Sequence, residues 1–478
     1  MTYTHFTYEA DGDGIALITW DSPGKSMNVI DQSVMDEFEK IVDAVVADEN
    51  IKGAVIASGK KTFGAGADLT MLQDLLGQYK AEASANPENA AQMLFDGAYT
   101  LNLVLRKMET CGKPFVAAIN GQALGGCLEI CLACHARVMA DDAKVGLPEV
   151  KVGLFPGAGG TQRVPRLIHT QEAFKMLLQG GNVYASKAKT LGLVTEVVPQ
   201  GEIIAKAKSL IADGLKGVQP WDQRGFKFPG GPIYSPAGMQ LFAPASALFR
   251  RETQDNYPGA RAIMKCVYEG MLVPIDTALK IESRYFAEVL RSTEAEMMIR
   301  TLFMSMQELN KGARRPQNIG KSDITKIGVL GGGGFMGAGI AYASASAGIE
   351  VVVLDRDAEA AAKAITHAEG LQDKAISKKR STPEKKADIV ARITATDDYS
   401  KLADVDMVIE AVFEDSEIKK LVTEQAEAHM PEGAIFASNT STIPITDLAG
   451  FSKRPDQFVG IHFFSPVDRM MLVEVIRG

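Results

Sequence analysis

The stretch that most restricts the fold is the apolar run Phe115–Ile119 together with the glycine-rich turn 121–126 that follows it. Five consecutive apolar residues ending at a turn read as a buried strand, and so many glycines mark a close approach of backbone. A helix is expected to start at that turn. Its first amides lack intrahelical acceptors and face whatever occupies the turn, which suits an oxygen that becomes negative during a reaction. Glu129 falls in the first helical turn, and Glu149 lies twenty residues on, next to Pro148. Alone, a glycine pair before a helix is more often tight packing, and a first-turn Glu more often serves the helix dipole. Two acids beside one anion-binding turn point instead to acid/base chemistry.

The segments ALGGCLE (123–129), LPE (147–149) and GLFPGAGGTQR (153–163) resemble the enoyl-CoA hydratase (crotonase) family in sequence and spacing, and FGAGADL (63–69) is similar to that family's other oxyanion segment. The resemblance implies that the amides of Ala65 and Gly126 hold the thioester oxygen of an acyl-CoA, with Gly66 and Asp68 beside them in the substrate site. It also implies that Glu129 and Glu149 are the hydratase carboxylates. Adding water across a 2,3-double bond needs one group to hold and deprotonate the water and another to deliver a proton to C2. Enolate charge gathers on the thioester oxygen meanwhile, where fixed donors contribute about 3–4 kcal/mol each. Glu149 is expected to give the proton and Glu129 to activate the water. Closely spaced acids titrate as a pair, so the sequence assigns a pKa to neither.

At 478 residues, 46% hydrophobic and 23% charged, the chain is ordinary globular material with room for two or more domains. Its net charge of −8 argues against non-specific nucleic-acid binding, so an anionic CoA must be met by helix N-termini and a few Lys or Arg. The first residues lack the positive start and apolar core of a signal peptide, and no run approaches the ~20 apolar residues of a membrane span. Five cysteines fit a reducing compartment without a disulfide framework. Cys127, Cys131 and Cys134, followed by His135, fall on one helical stripe. Four ligands on a straight helix do not readily close a tetrahedral shell, so packing is favoured and no metal is expected.

Strands at Ile15–Trp20 and Gly53–Ser58 flank an amphipathic helix over 33–48 with Val34, Phe38, Ile41, Val42 and Val45 on one side, the alternation of an α/β domain. Segment 81–92, poor in large apolar residues, reads as a mobile loop near the site or as a surface insertion. The pattern over 175–199 again resembles the crotonase family, giving a core of 1–200. A helical extension and linker follow over 201–321, with Met298, Leu302, Met306 and Leu309 on a helix laid back along the first domain and the linker itself at 311–321.

The second domain, 322–478, opens with a β-like run into GGGGFMG, where Gly332, Gly334 and Gly337 fit G-x-G-x-x-G. A helical pattern and the strand EVVVL follow, ending on Asp355 at about the spacing of a dinucleotide fold. Asp355 is expected on the adenosine ribose, favouring NAD; Arg356 beside it leaves NADP open, and the extra Gly331 leaves the first-glycine assignment open. Segments 405–420, 437–442 and 460–478 resemble 3-hydroxyacyl-CoA dehydrogenase. The resemblance implies that His462 takes the 3-hydroxyl proton as hydride leaves for NAD and that a buried Glu474 orients its ring. It further implies that Ser441 binds the substrate oxygen and that Glu414 and Lys419 line the nicotinamide-ribose side. Ser465 stands where many relatives have Asn. The basic run 374–386 reads as the solvated face of a helical arm.

Together these features resemble the multifunctional α-subunits of fatty-acid oxidation. A crotonase-type ββα-superhelix domain, a helical linker and a Rossmann-type NAD-binding domain are implied. Hydration of 2-trans-enoyl-CoA is the expected activity, with Δ3-Δ2 double-bond isomerisation or an NAD and acyl-CoA scaffold without turnover as alternatives. A thiolase subunit is the implied partner and a bacterial cytoplasm the implied location, a peroxisomal one being the other option. The dehydrogenase family runs on past the strand that carries Glu474, so either a fragment of a longer multifunctional protein or a second half incomplete as an enzyme is expected, with little dehydrogenase activity.

Overall fold

In the computed structural model, which describes residues 3–378 and 380–478, the apolar runs become strands of separate sheets in two units that divide between Arg315 and Pro316. Among the described residues, the main sheet of the first unit begins with the antiparallel pair Phe6–Ala10 and Ile15–Trp20. It continues in parallel through Gly53–Ser58, Phe115–Ile119, Ala136–Ala140 and Glu196–Val198. Every residue of Phe115–Ile119 is buried, as an apolar run without alternation requires when both faces of a parallel sheet are covered. The helix Gln32–Ala47 is capped by Asp31, whose side chain accepts from Val34 N, and buries Val34, Phe38, Ile41, Val42 and Val45.

Three expectations are corrected here. The turn after Ile119 contains a short strand, Gln122–Leu124, which joins Lys144–Gly146 and Val183–Tyr184 in a small second sheet. Segment 81–92 is no loop: it closes one helix, Leu69–Ala83, and opens another, Pro87–Thr110. Asn86 caps the second helix by accepting from Asn89 N, Pro87 fits the first turn, and Ala90 and Leu94 begin a buried face that continues through Val104, Leu105 and Met108. The stripe through Met298 also fails, since Leu302 and Leu309 are exposed while Ala295 and Ile299 are buried. A π-helical turn at Arg300–Met304 rotates the following residues off the expected face. The preceding helix, Thr293–Ile299, does pack on Glu149–Val152. No helix among the described residues is long and apolar enough to cross a membrane.

Among the described residues, the second unit holds one sheet in the order Ile393–Thr396, Glu350–Leu354, Lys326–Leu330, Met407–Glu410, Ile435–Ser438, Phe458–Phe463, Val473–Ile476, parallel except for the last strand. Chain direction through the sheet reverses beside Lys326–Leu330. The crevice beyond the carboxyl ends of the strands at such a reversal is where open α/β sheets bind ligands.

Candidate functional site

In the first unit, the loop 63–69 is stitched to the strand Gln122–Leu124, with Gly64 N donating to Gln122 O at 3.0 Å and Leu124 N to Gly64 O at 3.1 Å. On its other side Ile30 N donates to Gly66 O at 2.9 Å and Asp68 N to Ile30 O at 2.8 Å. These bonds press the loop against Gly125, whose φ of 54° and ψ of −136° belong to glycine, and against the start of the helix Gly126–Ala133. A methyl on Gly125 would stand 3.4 Å from Gly66 Cα, and one on Gly126 would stand 3.8 Å from Ala67 N. The amides of Ala67 and Gly126 have no acceptor among the described residues.

The donor pair is therefore Ala67 with Gly126, and the expectation for Ala65 is corrected. Ala65 N donates to Asn28 O at 2.9 Å, and Gly66 N donates to Cys127 Sγ at 3.2 Å. Gly66, at φ 106°, swings the chain so that the outward amide comes one residue later. Asp68 is a helix cap, its carboxylate accepting from Thr70 N at 2.9 Å. Cys127, Cys131 and Cys134 are buried in the core.

Both predicted acids reach this turn. Glu129, 2% exposed, accepts at Oε1 from Ala158 N (2.8 Å) and Gly160 N (2.7 Å), while its Oε2 lies 4.0 Å from where a Gly126 methyl would be. Glu149 Oε1 lies 3.2 Å from the corresponding point on Gly125, and its Oε2 is buried with no hydrogen-bond partner among the described residues. Burial pushes Glu129 up to about 7, against the pull of the Gly160 and Ala158 amides and of Arg163. Burial raises Glu149 well above the usual carboxylate range, and the neighbouring charge of Glu129 raises it further. The site thus holds an acid that keeps its proton beside one that ionises near neutrality.

Sequence reasoning missed the supports of this pair. Arg163, fully buried, bonds Glu109 through Nε at 2.7 Å and Nη2 at 3.1 Å and donates from Nη1 to Ala158 O at 2.9 Å, fixing the residue whose amide meets Glu129. Arg106 closes the cluster, reaching Glu109 at 2.7 Å and Asp222 at 2.9 Å. Glu282, from the helix Ile275–Leu290, is a third buried acid, raised to about 8 by burial and then by Glu129.

Raised carboxylates make stability depend on pH with a definite sign. Glu129 and Glu282 bind protons more tightly folded than unfolded, so their contribution is full below about 4.5 and is lost as pH rises through 7 and 8. The melting temperature of the first unit is expected to fall between pH 5 and 9, and calorimetry showing a flat or rising profile over that window would contradict the burial described.

In the second unit, Gly331 (φ 70°) makes the tight turn, Gly334 opens the helix Phe335–Ser346, and Gly337 packs so closely that a methyl there would meet Gly331 O at 2.4 Å. The extra glycine thus takes the first-glycine position, and Gly332 instead abuts Val353. Asp355 follows the neighbouring strand and its Oδ2 accepts from Gly333 N at 3.0 Å. Across the reversal, Glu414 accepts from Thr440 Oγ1 at 2.6 Å and Ser441 N at 2.9 Å. Burial opposes ionisation of Glu414, yet the bonds from Thr440 and Ser441 and the charge of Lys419 hold it down at about 2. His462 and Glu474 are opposite one another on adjacent antiparallel strands, Nδ1 to Oε2 at 2.7 Å.

One expectation changes in this unit. Lys419, expected with Glu414 on the nicotinamide-ribose side, has a side chain that is 2% exposed, and its ammonium lies 2.7 Å from buried Glu410 and 3.1 Å from Glu414. Glu410, whose charge demands that counter-ion, went unrecognised in the sequence. Glu474 is not buried, its side chain being 48% exposed on the outermost strand of the sheet. Ser441 and Ser465 are exposed at the carboxyl ends of neighbouring strands.

Comparison with known proteins agrees with this division. Residues 10–219 match the family model described as enoyl-CoA hydratase/isomerase, and residues 326–478 match that of the NAD-binding domain of 3-hydroxyacyl-CoA dehydrogenase. The fatty acid oxidation complex subunit alpha of Shewanella frigidimarina is 37% identical over 475 residues, covering 97% of this chain and 64% of that protein. Its counterpart in Shewanella amazonensis is 37% identical over 486 residues, covering 98% and 65%. The chain thus spans less than two thirds of the length of these relatives. Among solved structures, (S)-3-hydroxybutyryl-CoA dehydrogenase from Ralstonia eutropha is 41% identical over 33% of this chain and 55% of that one, with a TM-score of 0.32. Residues 10–219 are thus similar to the enoyl-CoA hydratase/isomerase family, and residues 326–478 to the NAD-binding domain family of the 3-hydroxyacyl-CoA dehydrogenases.

Proposed function

We propose that the first unit hydrates 2-trans-enoyl-CoA to 3-hydroxyacyl-CoA in fatty-acid β-oxidation. The observation that carries this reading is the pair of unequally supported acids beside two amides that have no acceptor among the described residues. The amides of Ala67 and Gly126 hold the thioester oxygen as enolate charge grows on it. Glu129, ionised near neutrality, takes a proton from water as its oxygen bonds C3. Glu149, still protonated, gives its proton to C2. One proton enters the pair and one leaves, so the pair must exchange a proton to reset before the next turnover.

Loss of the conjugated enoyl absorbance of crotonyl-CoA tests the reading directly. Steady loss with formation of 3-hydroxybutyryl-CoA is expected; binding without turnover identifies a scaffold. Isomerisation of a 3-enoyl-CoA needs only one group to carry a proton between C2 and C4. Hydration is expected to fall steeply in both Glu129→Gln and Glu149→Gln, whereas an isomerase would tolerate one of them.

For the second unit we propose NAD binding and a part in oxidation of the 3-hydroxyacyl-CoA product. The residues fit a dinucleotide. The first-turn amides of the helix Phe335–Ser346 are open to a pyrophosphate, and Asp355 offers a carboxylate to ribose hydroxyls and repels a 2′-phosphate. When bound, NAD supplies the hydride acceptor. His462, oriented by Glu474, takes the hydroxyl proton, and Ser441, fixed by Glu414, holds the substrate oxygen. Asp355→Ala is expected to weaken NAD about 10- to 100-fold, as loss of a charge-assisted hydrogen bond does, and to narrow the preference over NADP. Calorimetric titration with each nucleotide checks this, and unchanged affinity for both would remove Asp355 from the site. A thiolase subunit that cleaves the resulting 3-ketoacyl-CoA is the partner proposed.

A further inference from the structure

The loop 158–161 presents four consecutive amides, and they are shared alternately between two buried acids. Ala158 N and Gly160 N donate to Glu129 Oε1. Gly159 N donates to Glu282 Oε1 at 2.5 Å and Thr161 N to Glu282 Oε2 at 3.0 Å, with the Thr161 hydroxyl donating to Oε2 as well. Glu282 lies in Ile275–Leu290, beyond the residues that match the hydratase family, and is fully buried. Its helix is also tied twice to the residues just before that turn. Phe286 packs edge-on against Phe155, and Ser283 shares Asn102, which donates to Gly157 O at 3.0 Å.

We propose that Glu282 is a positioning residue for hydration: by holding the Gly159 and Thr161 amides it turns those of Ala158 and Gly160 onto Glu129 and so sets the pH at which Glu129 becomes a base. The inference rests on the hydration reading. Two carboxylates that take alternate amides fix the twist of this turn, which passes through left-handed Gly159 (φ 96°, ψ 4°) into the helix Gly160–Leu167. Removing one acceptor frees the loop to rotate and draws the other amides off Glu129. The titratable groups that act on Glu282 are Glu129 from Gly126–Ala133, Arg163 and Arg166 from Gly160–Leu167, Glu149 from Glu149–Val152, and the neutral Cys266 thiol from Pro258–Gly270, while the packed helix Pro87–Thr110 sends Arg106 to Asp276 of the same helix. With Arg163 already bonded to Glu109, none of them replaces the two amides that Glu282 accepts.

The test is the pH dependence of kcat/KM for crotonyl-CoA in wild type, Glu282→Gln and Glu282→Ala. The Gln variant keeps the shape of the side chain but turns a donor toward Thr161 N; it serves if the Ala variant fails to fold. Expected is an acid limb displaced upward by about one pH unit, as Glu129 loses amide donors, with kcat at least tenfold lower and KM nearly unchanged. The same ionisation is read without turnover from the carboxyl band in infrared titration that Glu129→Gln abolishes. An acid limb and an infrared midpoint that stay at the wild-type pH would overturn the proposal, whatever happens to kcat or stability. Absence of hydration in the wild type would instead defeat the hydration reading, and the infrared midpoint would still decide the role of Glu282.

Discussion

Glu149→Gln is expected to lower kcat for hydration of crotonyl-CoA by about 10²–10⁴-fold while leaving KM near its wild-type value. The side chain keeps its shape and loses the proton that C2 needs. Its Oε2 is buried without a partner among the described residues, so an amide NH₂ placed there leaves one unpaired polar group where one already stood. Removing an acid that burial already penalises also relieves the pair, so the variant is expected to unfold within about 1 kcal/mol of wild type. Glu129→Gln differs in this respect, because its new NH₂ would oppose the amide donors of Ala158 or Gly160 or turn away and leave them weakly held. Hydration by Glu149→Gln at the wild-type rate would remove Glu149 from the chemistry.

Arg163→Met is expected to destabilise the first unit by about 3–5 kcal/mol, the cost of leaving a buried charge without its partner. Both Arg163 and Glu109 have fully buried side chains, and Arg163 supplies two of the hydrogen bonds to that carboxylate. Arg106 alone cannot replace them, since it also serves Asp222 and Asp276. The double variant Glu109→Gln with Arg163→Met is expected to recover part of the loss, because no unpaired charge then remains. Urea unfolding of the first unit checks both, and a loss below about 1 kcal/mol in the single variant would mean that solvent reaches the pair. Hydration should weaken as well, because Arg163 fixes Ala158 through its carbonyl.

What the sequence revealed and what it hid divide along the range of the interactions. Phe115–Ile119, Ile15–Trp20 and Gly53–Ser58 were legible because local apolar runs decide buried strands. The stripe of the helix Gln32–Ala47 was equally plain. The two acids could be placed from the glycine turn and the resemblance together. Glu109 and Glu282 could not, since they act on residues 54 and 121 to 123 positions away and carry no local pattern. The oxyanion donor was missed by two residues, because only the backbone angle at Gly66 decides which amide faces outward. Segment 81–92 misled because it lacks large apolar residues, although its Asn-Pro pair is a helix-start signal that could have been weighed. The stripe through Leu302 and Leu309 failed for a reason no periodicity count contains, a π turn that shifts the phase.

The measurement closest to the central claim is the Raman spectrum of crotonyl-CoA bound to Glu149→Gln, where slow turnover lets the complex persist. If the amides of Ala67 and Gly126 converge on the thioester oxygen, the carbonyl stretch moves well below its position for crotonyl-CoA in water as electron density shifts toward oxygen. A carbonyl band at its aqueous position in the saturated complex would show that these amides do not hold the thioester, and the hydration mechanism built on them would fall.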